Sequence, residues 1–140
     1  MAAHTFQIRI LQADRPFYEG ECESVVIPTT DGQYGIMAHH RNLIGAIVPG
    51  MITYKIPGKP AEIASVSGGI VKVEDNDVLI LVNTAEHPDE IDENNAKRQA
   101  DEAKEILLQK RSMREYRSAQ ATLARAIGRL KVKSSYEGKS

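Results

Sequence analysis

The chain has 140 residues and a formal net charge of -1, which suits one ordinary domain, or a small domain with an appendage, and gives no overall attraction to nucleic acid. Its single cysteine, Cys22, excludes an internal disulfide framework and a multi-cysteine metal site. No apolar run approaches the roughly 20 residues that span a bilayer, so we expect no direct membrane insertion. The N-terminus lacks a basic region followed by an apolar core, so we expect no signal peptide and a cytosol-facing chain.

The first 87 residues contain short apolar runs separated by turn signals, a pattern typical of an antiparallel β-sandwich or barrel. Pro16 belongs to a turn-like stretch, and Pro28 is expected to end the second strand. Asp75-Asn76-Asp77 is expected to connect the last two strands as a hairpin. The predicted strands cover residues 6–10, 22–27, 34–37, 43–48, 51–56, 63–67, 70–74 and 78–82.

Near residue 88 the repeat of the apolar residues changes from every second residue to about every 3.6 residues, which predicts two helices in residues 88–133. Asp89 is the expected N-cap of the first helix, Lys110-Arg111 closes it, and Ser112 to Glu115 has the form of a capping box for the second. The short connection between the two predicted helices favours an antiparallel hairpin. The predicted apolar stripes are Ile91, Ala96, Ala100, Ala103 and Leu107, then Tyr116, Ala119, Leu123, Ala126, Ile127 and Leu130.

The sequence therefore divides into a β-sandwich assembly domain at residues 1–87, a helical hairpin at 88–133 and a flexible tail at 134–140. Small side chains let helices approach closely but bury little area, so the hairpin should be weakly held.

Charge also divides the two helices. Residues 88–108 carry seven acids against three bases, whereas residues 109–133 carry one acid against eight bases. A basic helix can bind an acidic surface of a partner, although such a charge run can also be a solvated face. One interpretation is therefore a stand-alone interaction module whose basic helix binds an acidic partner. The bases are Lys110, Arg111, Arg114, Arg117, Arg125, Arg129, Lys131 and Lys133.

Signals for catalysis are weak. His39 and His40 are adjacent, and neighbouring residues of a strand point to opposite faces, so they do not indicate a metal site. Gly68-Gly69 lacks the lysine and hydroxyl of a phosphate loop. No arrangement of Ser, His and Asp indicates a triad. Tyr116 is the only aromatic residue in residues 109–133, so the basic helix offers no stacking platform for nucleic acid. These absences favour a non-catalytic protein that binds neither metal nor nucleic acid.

Several motifs occur in a characteristic order along the chain. They are Gly32-x-x-Gly35-Ile36, His40, Leu43, Pro49-Gly50-Met51, Ser67-Gly68-Gly69-Ile70, Asn83-Thr84-Ala85, Ile91-Asp92 and the stretch from Leu123 to Leu130. On these motifs, residues 6–133 resemble the epsilon subunit of bacterial F-type ATP synthases. That family has a β-sandwich followed by a helical hairpin, which is the architecture that the periodicity predicts independently.

The resemblance implies a non-catalytic rotor subunit in the central stalk of a proton- or sodium-translocating ATP synthase. Its partners would be the gamma subunit, the c-ring, and the alpha and beta subunits of the catalytic head. It would lie peripherally at the cytoplasmic face of the plasma membrane, and its extended hairpin would restrain ATP hydrolysis. The partner contacts so implied are Gly32, His40, Leu43 and Met51 in the sandwich and Arg114, Arg117, Arg125 and Arg129 in the second helix.

Two departures from the family pattern matter. Where the family often shows Pro-Gly-His, this chain has Ala38-His39-His40, so we expect a more flexible loop. Some bacterial relatives bind ATP through residues of the hairpin, and here Asn95 and Glu102 replace two arginines of that pattern. We therefore expect no cofactor and weak or no ATP binding. The matching residues are Glu86, Ile91, Asp92, Ala96, Arg125 and Arg129.

Overall fold

The computed structural model of the chain describes residues 4–109 and 112–137. Within them, ten strands precede a 3-10 turn at Pro88–Glu90 and two helices, α1 (Glu93–Gln109) and α2 (Met113–Glu137). The strands are β1 (Phe6–Leu11), β2 (Pro16–Cys22), β3 (Ser24–Thr29), β4 (Gly32–Met37), β5 (Leu43–Ile47), β6 (Gly50–Lys55), β7 (Glu62–Val66), β8 (Gly69–Glu74), β9 (Asp77–Val82) and β10 (Ala85–Glu86).

The strands form two five-stranded sheets packed face to face. Sheet A has the order β2-β1-β9-β8-β5, and sheet B has the order β10-β7-β6-β3-β4. All described pairs are antiparallel except β1 with β9, in which Gln7 lies opposite Asp77. Alternate residues of each strand point inward, and Phe6, Ile8 and Ile10 show this pattern with at most 1% exposure. The predicted sandwich followed by a helical hairpin is confirmed.

Two strand predictions were wrong. The turn-like stretch at Pro16 begins a full strand, β2, which pairs with β1 along the edge of sheet A. Proline and glycine lower strand propensity, but an edge strand tolerates them because one of its sides forms no backbone hydrogen bonds to another strand. Pro28 does not end β3, which continues to Thr29. Since the β3–β6 pairing covers only Ser24 to Val26, the missing N–H of Pro28 leaves no gap in that ladder.

The N-terminal boundary of the first helix also differs from the prediction. Asp89 lies in the 3-10 turn, and the cap of α1 is Asp92, whose Oδ1 accepts the Asn95 N–H at 3.0 Å. Ser112 caps α2 as predicted, because its Oγ accepts the Glu115 N–H at 3.1 Å. The predicted closure at Lys110-Arg111 lies outside the described residues.

The C-terminal end of α2 extends beyond the prediction. Residues 134–140 were expected to form a flexible tail, but α2 continues through Ser134 to Glu137. Polar residues there do not interrupt the helix, since no proline or glycine stands between Lys133 and Glu137. The rest of the predicted tail lies outside the described residues.

Small side chains form the buried face of the hairpin. Ala96, Ala100 and Ala103 of α1 are buried, as are Ala119 and Ala126 of α2. Tyr116 and Ile127 were expected in the stripe of α2 but are 38% and 49% exposed. The buried face turns instead toward Gly128 and Val132, because α2 packs on both α1 and the sandwich.

Candidate functional site

The hairpin packs on the outer face of sheet B through α2, which contacts β6 and β7. At the centre of this contact the backbones of Gly128 and Gly50 approach each other closely. A Cβ built on Gly128 would lie 3.2 Å from Gly50 Cα and 3.4 Å from Gly50 N. A glycine inside a helix lowers its stability, but here Gly128 permits close contact between the helix and the sheet.

A small apolar cluster adjoins the glycine contact. Ile63 of β7, Ile91 after the 3-10 turn and Val132 of α2 are buried together, and Met51 of β6 packs against them. This cluster is separate from the sandwich core. Met51, which the resemblance implies as a partner contact, is covered by the hairpin in this arrangement.

A polar contact joins the sandwich to both helices. Arg129 of α2 donates from Nε to Glu86 Oε1 at 2.7 Å and from Nη2 to Glu86 Oε2 at 3.2 Å. Its Nη1 donates to Gln99 Oε1 of α1 at 3.1 Å. The side chains of Arg129 and Glu86 are only 16% and 28% exposed. We call Arg129, Glu86 and Gln99 the latch, because together they join α2, the sandwich and α1.

The residues that match the ATP-binding pattern do not converge on one open site. Glu86, Arg125 and Arg129 line a polar cavity of about 380 Å³ beside the latch. Asp92 instead caps α1, and Ile91 and Ala96 are buried in packing. Within the cavity, Glu86 already neutralises Arg129, so the guanidinium is engaged by the chain itself.

The two substituted positions lie on α1. Asn95 accepts a hydrogen bond from Arg98 Nη2 at 2.7 Å. Glu102 lines a groove between the helices, together with Arg114 of α2. A carboxylate in that groove repels an anion, whereas an arginine there would attract one.

Three of the four predicted partner arginines are exposed on α2. Arg114, Arg117 and Arg125 face solvent, and Arg125 donates to the Thr122 hydroxyl at 3.2 Å. Arg129 is the exception, because the latch holds it. The bases of α2 therefore include an exposed set and two engaged ones, Arg129 in the latch and Lys133, which donates to the Pro88 carbonyl at 3.2 Å.

The outer face of sheet A carries exposed apolar residues that the strand pattern alone did not single out. Ile44 is 76% exposed, Ile70 is 47% exposed and Leu81 is 38% exposed. Leu81 lies opposite Ile70, which in turn lies opposite Ala46, so a continuous apolar row crosses the sheet. The sequence did carry a signal for this apolar face. Residues 78–82 are all apolar, and such continuous apolar runs are typical of strands that are covered on both faces.

His40 is held in place at the β4–β5 loop. Its Nδ1 lies 2.7 Å from the Arg41 carbonyl, and its Nε2 lies 2.7 Å from the Tyr34 hydroxyl. Because a carbonyl oxygen only accepts, Nδ1 donates to Arg41, and Nε2 pairs with the Tyr34 hydroxyl. Gly32 turns the chain at the start of β4 with φ 110°, and Leu43 packs against the sandwich core.

The β4–β5 loop is tied to the turn between β8 and β9. His39 N–H donates to Asn76 Oδ1 at 2.7 Å, and Asp75 N–H donates to Asn42 Oδ1 at 3.0 Å. Two hydrogen bonds thus connect this loop to the neighbouring turn, while its greater flexibility remains a prediction. Asp75 and Asn76 have φ of 49° and 66°, as a tight hairpin turn requires.

Burial raises the pKa of two ionisable groups in the sandwich interior. Burial and the nearby Glu62 carboxylate raise the pKa of the Tyr54 hydroxyl well above its usual range. Burial also raises the pKa of the Cys22 thiol, which donates to the Ser24 carbonyl at 3.0 Å. Within residues 4–109 and 112–137, no group of three or more His, Cys, Asp or Glu could hold a metal ion.

Substitution of Gly128 by alanine tests the close contact. We expect Gly128→Ala to stabilise α2 itself by about 1 kcal/mol but to push it away from Gly50, with an overpacking cost of about 1–3 kcal/mol. The ratio of docked to undocked hairpin should fall about 5- to 150-fold. Fluorescence energy transfer between a label in the sandwich and one at Leu108 would measure this ratio.

Ser118→Ala is the matched control, because Ser118 is an exposed residue of α2. It should raise helix propensity without changing the docked fraction. An unchanged docked fraction in Gly128→Ala would show that the glycine contact does not position the hairpin.

These features define a class of protein: a β-sandwich with a two-helix arm docked on one sheet and an exposed apolar face on the other. The ATP synthase Delta/Epsilon chain β-sandwich model matches residues 5–88, and the model of the long α-helix domain of the same chain matches residues 89–134. The chain belongs to the ATP synthase delta/epsilon chain family. This membership agrees with the prediction of a non-catalytic subunit.

Relatives and solved structures agree with this assignment. The chain is 41% identical to the ATP synthase epsilon chain of Caldanaerobacter subterraneus subsp. tengcongensis, over 95% of this chain and 96% of the relative. It is 40% identical to that of Ruminiclostridium cellulolyticum, over 90% and 93% of the two chains. A chain of the Euglena gracilis mitochondrial ATP synthase shares its fold, with a TM-score of 0.79 and 20% identity, over 91% of this chain and 80% of that one.

A second solved structure shows the same fold. A chain of the Tetrahymena thermophila mitochondrial ATP synthase central stalk and c-ring aligns with a TM-score of 0.66 and 13% identity, over 91% of this chain and 95% of that one. In the part of the chain that the structure describes, neither helix is long and apolar enough to cross a membrane.

Proposed function

We propose that this chain is the epsilon subunit in the central stalk of a rotary ATP synthase, where the sandwich binds the gamma subunit and the c-ring. In this proposal the hairpin is a regulatory arm. Docked on sheet B, it leaves ATP hydrolysis unrestrained, and extended toward the alpha and beta subunits it inhibits hydrolysis. The coupling ion is a proton or sodium ion, and the assembly lies at the cytoplasmic face of the plasma membrane.

The observation that carries this proposal is the small contact between the hairpin and the sandwich. Its main described elements are one glycine pair, the apolar cluster around Val132 and the latch. A full reversal of a two-state equilibrium from 1:99 to 99:1 takes about 5.5 kcal/mol, which a few such contacts can supply. The sandwich has its own buried core, separate from the cluster beneath the hairpin.

Binding of the gamma subunit is assigned to the outer face of sheet A. Its support is the apolar row through Ile70 and Leu81, with Ile44 beside it. Exposed contiguous apolar surface of this kind marks protein interaction sites. Gly32 and His40 remain candidates for c-ring contact through the loops of the sandwich, as the family resemblance implies.

Charged residues on the apolar face should weaken this binding. We expect Ile44→Asp combined with Ile70→Asp to weaken binding to purified gamma subunit by about 1–3 kcal/mol per site, because each carboxylate would be desolvated without a partner. Isothermal titration calorimetry with the two purified subunits measures the change. Both side chains are exposed in the free chain, so folding should be unaffected.

The matched control is Leu108→Asp, the same change of charge at an 81% exposed residue of α1. It should bind gamma as the unsubstituted chain does. If the double variant of sheet A also binds normally, gamma contacts another surface of the sandwich.

ATP binding should be weak or absent in the isolated chain. Asn95 supplies no positive charge, Glu102 repels phosphate, and Glu86 engages Arg129. Calorimetric titration with ATP should show no micromolar binding, and Asn95→Arg with Glu102→Arg should strengthen any binding present. A micromolar dissociation constant in the unsubstituted chain would contradict this prediction.

Copurification distinguishes the proposed function from a stand-alone interaction module. A stalk subunit should copurify with gamma and the catalytic head and show no turnover of its own. A chain that binds an acidic protein through α2 while its sandwich binds nothing would favour the module.

A further inference from the structure

The edge strands of the two sheets differ in how they are protected from pairing with another chain. β2 begins with Pro16 and has a register shift near Leu11, and β10 has only two residues. Prolines, bulges, charges and short length all prevent unwanted strand pairing. β4 and β5, at the opposite edges, contain neither a charged residue nor a proline, and their pairings show no register shift.

The direction of the β4 backbone groups follows from Pro28. The Pro28 carbonyl accepts the Val48 N–H at 3.1 Å, so the backbone of Pro28 points away from β4. Along an antiparallel strand, the backbone N–H and C=O groups of successive residues point alternately to the two sides. The neighbouring pairs, Ile27 with Tyr34 and Val25 with Ile36, therefore carry the β3–β4 hydrogen bonds. The N–H and C=O groups of residues 33, 35 and 37 therefore face the open edge.

The open edge of β4 is accessible and uncrowded. Gln33 and Gly35 are exposed, and Met37 is 66% exposed. A Cβ on Gly35 would meet no atom within 4 Å. In the part of the chain that the structure describes, the outward backbone groups of β4 take part in one backbone hydrogen bond, in which His40 N–H donates to the Met37 carbonyl at 3.3 Å. The backbone groups of Gln33 and Gly35 are thus left for a partner.

We propose that an extended segment of the gamma subunit pairs with the open edge of β4 and adds a sixth strand to sheet B. This inference rests on the proposed function and specifies how the sandwich holds its partner. Ile44, at the margin of the apolar face, belongs to β5, and the chain after β5 contacts β3, the neighbour of β4, where the Val48 N–H donates to the Pro28 carbonyl. One partner segment can therefore cover the apolar face and continue along the open edge, where backbone hydrogen bonds hold it.

Amide hydrogen exchange in the complex of the full chain with gamma tests the pairing directly. The amides of Gln33 and Gly35 should exchange rapidly in the free chain and about 100-fold more slowly in the complex, because only hydrogen-bonded amides are protected. Tyr34 is the internal control, since its bond to β3 protects it in both states.

The outcomes separate this inference from the proposed function. Calorimetric binding of gamma without protection at Gln33 and Gly35 would overturn the strand pairing alone. Absence of calorimetric binding between the full chain and gamma would overturn gamma binding itself. Equal protection in the chain alone at high concentration would assign the edge to a second copy and overturn the inference.

Gly35→Pro provides an independent test. Proline removes the outward N–H, and an edge strand tolerates it because that group makes no bond in the sandwich. We expect about tenfold weaker binding to gamma or more, with unchanged binding for Gly35→Ala, which keeps the N–H. Gln33→Pro serves the same purpose if Gly35→Pro does not fold. Proline variants that fold and bind gamma as the alanine variant does would contradict strand pairing.

Discussion

Glu86→Gln should release the hairpin from the sandwich and deepen the inhibition of ATP hydrolysis in the assembled complex. The substitution removes the charge that the Arg129 guanidinium engages at 2.7 and 3.2 Å while leaving every residue of the helices unchanged. Hydrogen bonds to charged groups contribute about 1.5–3 kcal/mol, so the docked-to-extended ratio should fall about 10- to 150-fold. Energy transfer between sandwich and hairpin labels measures the ratio, and steady-state hydrolysis by the reconstituted complex measures the consequence.

Glu74→Gln is the matched control for this prediction. Glu74 pairs with Lys72 at 3.1 Å on β8, but the two side chains are 58% and 46% exposed. Exposed pairs contribute about 0–1 kcal/mol, so neither the hairpin ratio nor hydrolysis should change. The latch would be unnecessary for closure if Glu86→Gln behaved like this control.

The second prediction concerns the free bases of α2. Reversal of Arg114, Arg117 and Arg125 to glutamate should relieve inhibition progressively, because each change turns attraction to an acidic surface of the catalytic head into repulsion. Close charge pairs between subunits are coupled by about 1.5–7 kcal/mol, so the triple variant should hydrolyse ATP nearly as fast as a complex without the arm. The 25 residues of α2 span about 37 Å, long enough to enter a neighbouring cleft.

Arg129 is left out of this series for a structural reason. Its reversal would break the latch and remove a base at once, and the two effects oppose each other. The control places the same change of charge on α1, by reversing Lys97, Arg98 and Lys104, which are its exposed bases. If both triple variants relieve inhibition equally, net charge rather than α2 is responsible.

Most of the sandwich could be predicted from the sequence because alternation reports burial directly. Residues such as Phe6, Ile8 and Ile10 show one buried face and one solvated face, and the structure confirms it. β2 could not be predicted this way, since Pro16 and Gly20 obscure the pattern. Its position at the edge of sheet A, where such residues are tolerated, depends on the order of strands in space.

The contacts that hold the hairpin were predictable only in part. Family resemblance pointed to Glu86 and Arg129, but 43 residues separate them, and no local pattern shows that they form an ion pair. From the sequence, Gly128 is only a residue that weakens a helix. Its contact with Gly50 is visible only when α2 is packed on the sandwich. Propensity and periodicity describe elements one at a time, whereas these contacts depend on how the elements meet.

The central claim is that the sandwich assembles into the stalk and the hairpin regulates hydrolysis. It is tested most directly by comparing ATP hydrolysis in one reconstituted complex that carries either the full chain or residues 1–87. The shorter chain retains the separate sandwich core, so it should fold and bind gamma. We predict faster hydrolysis with residues 1–87 than with the full chain, at equal occupancy. Equal hydrolysis rates at equal occupancy would contradict a regulatory hairpin.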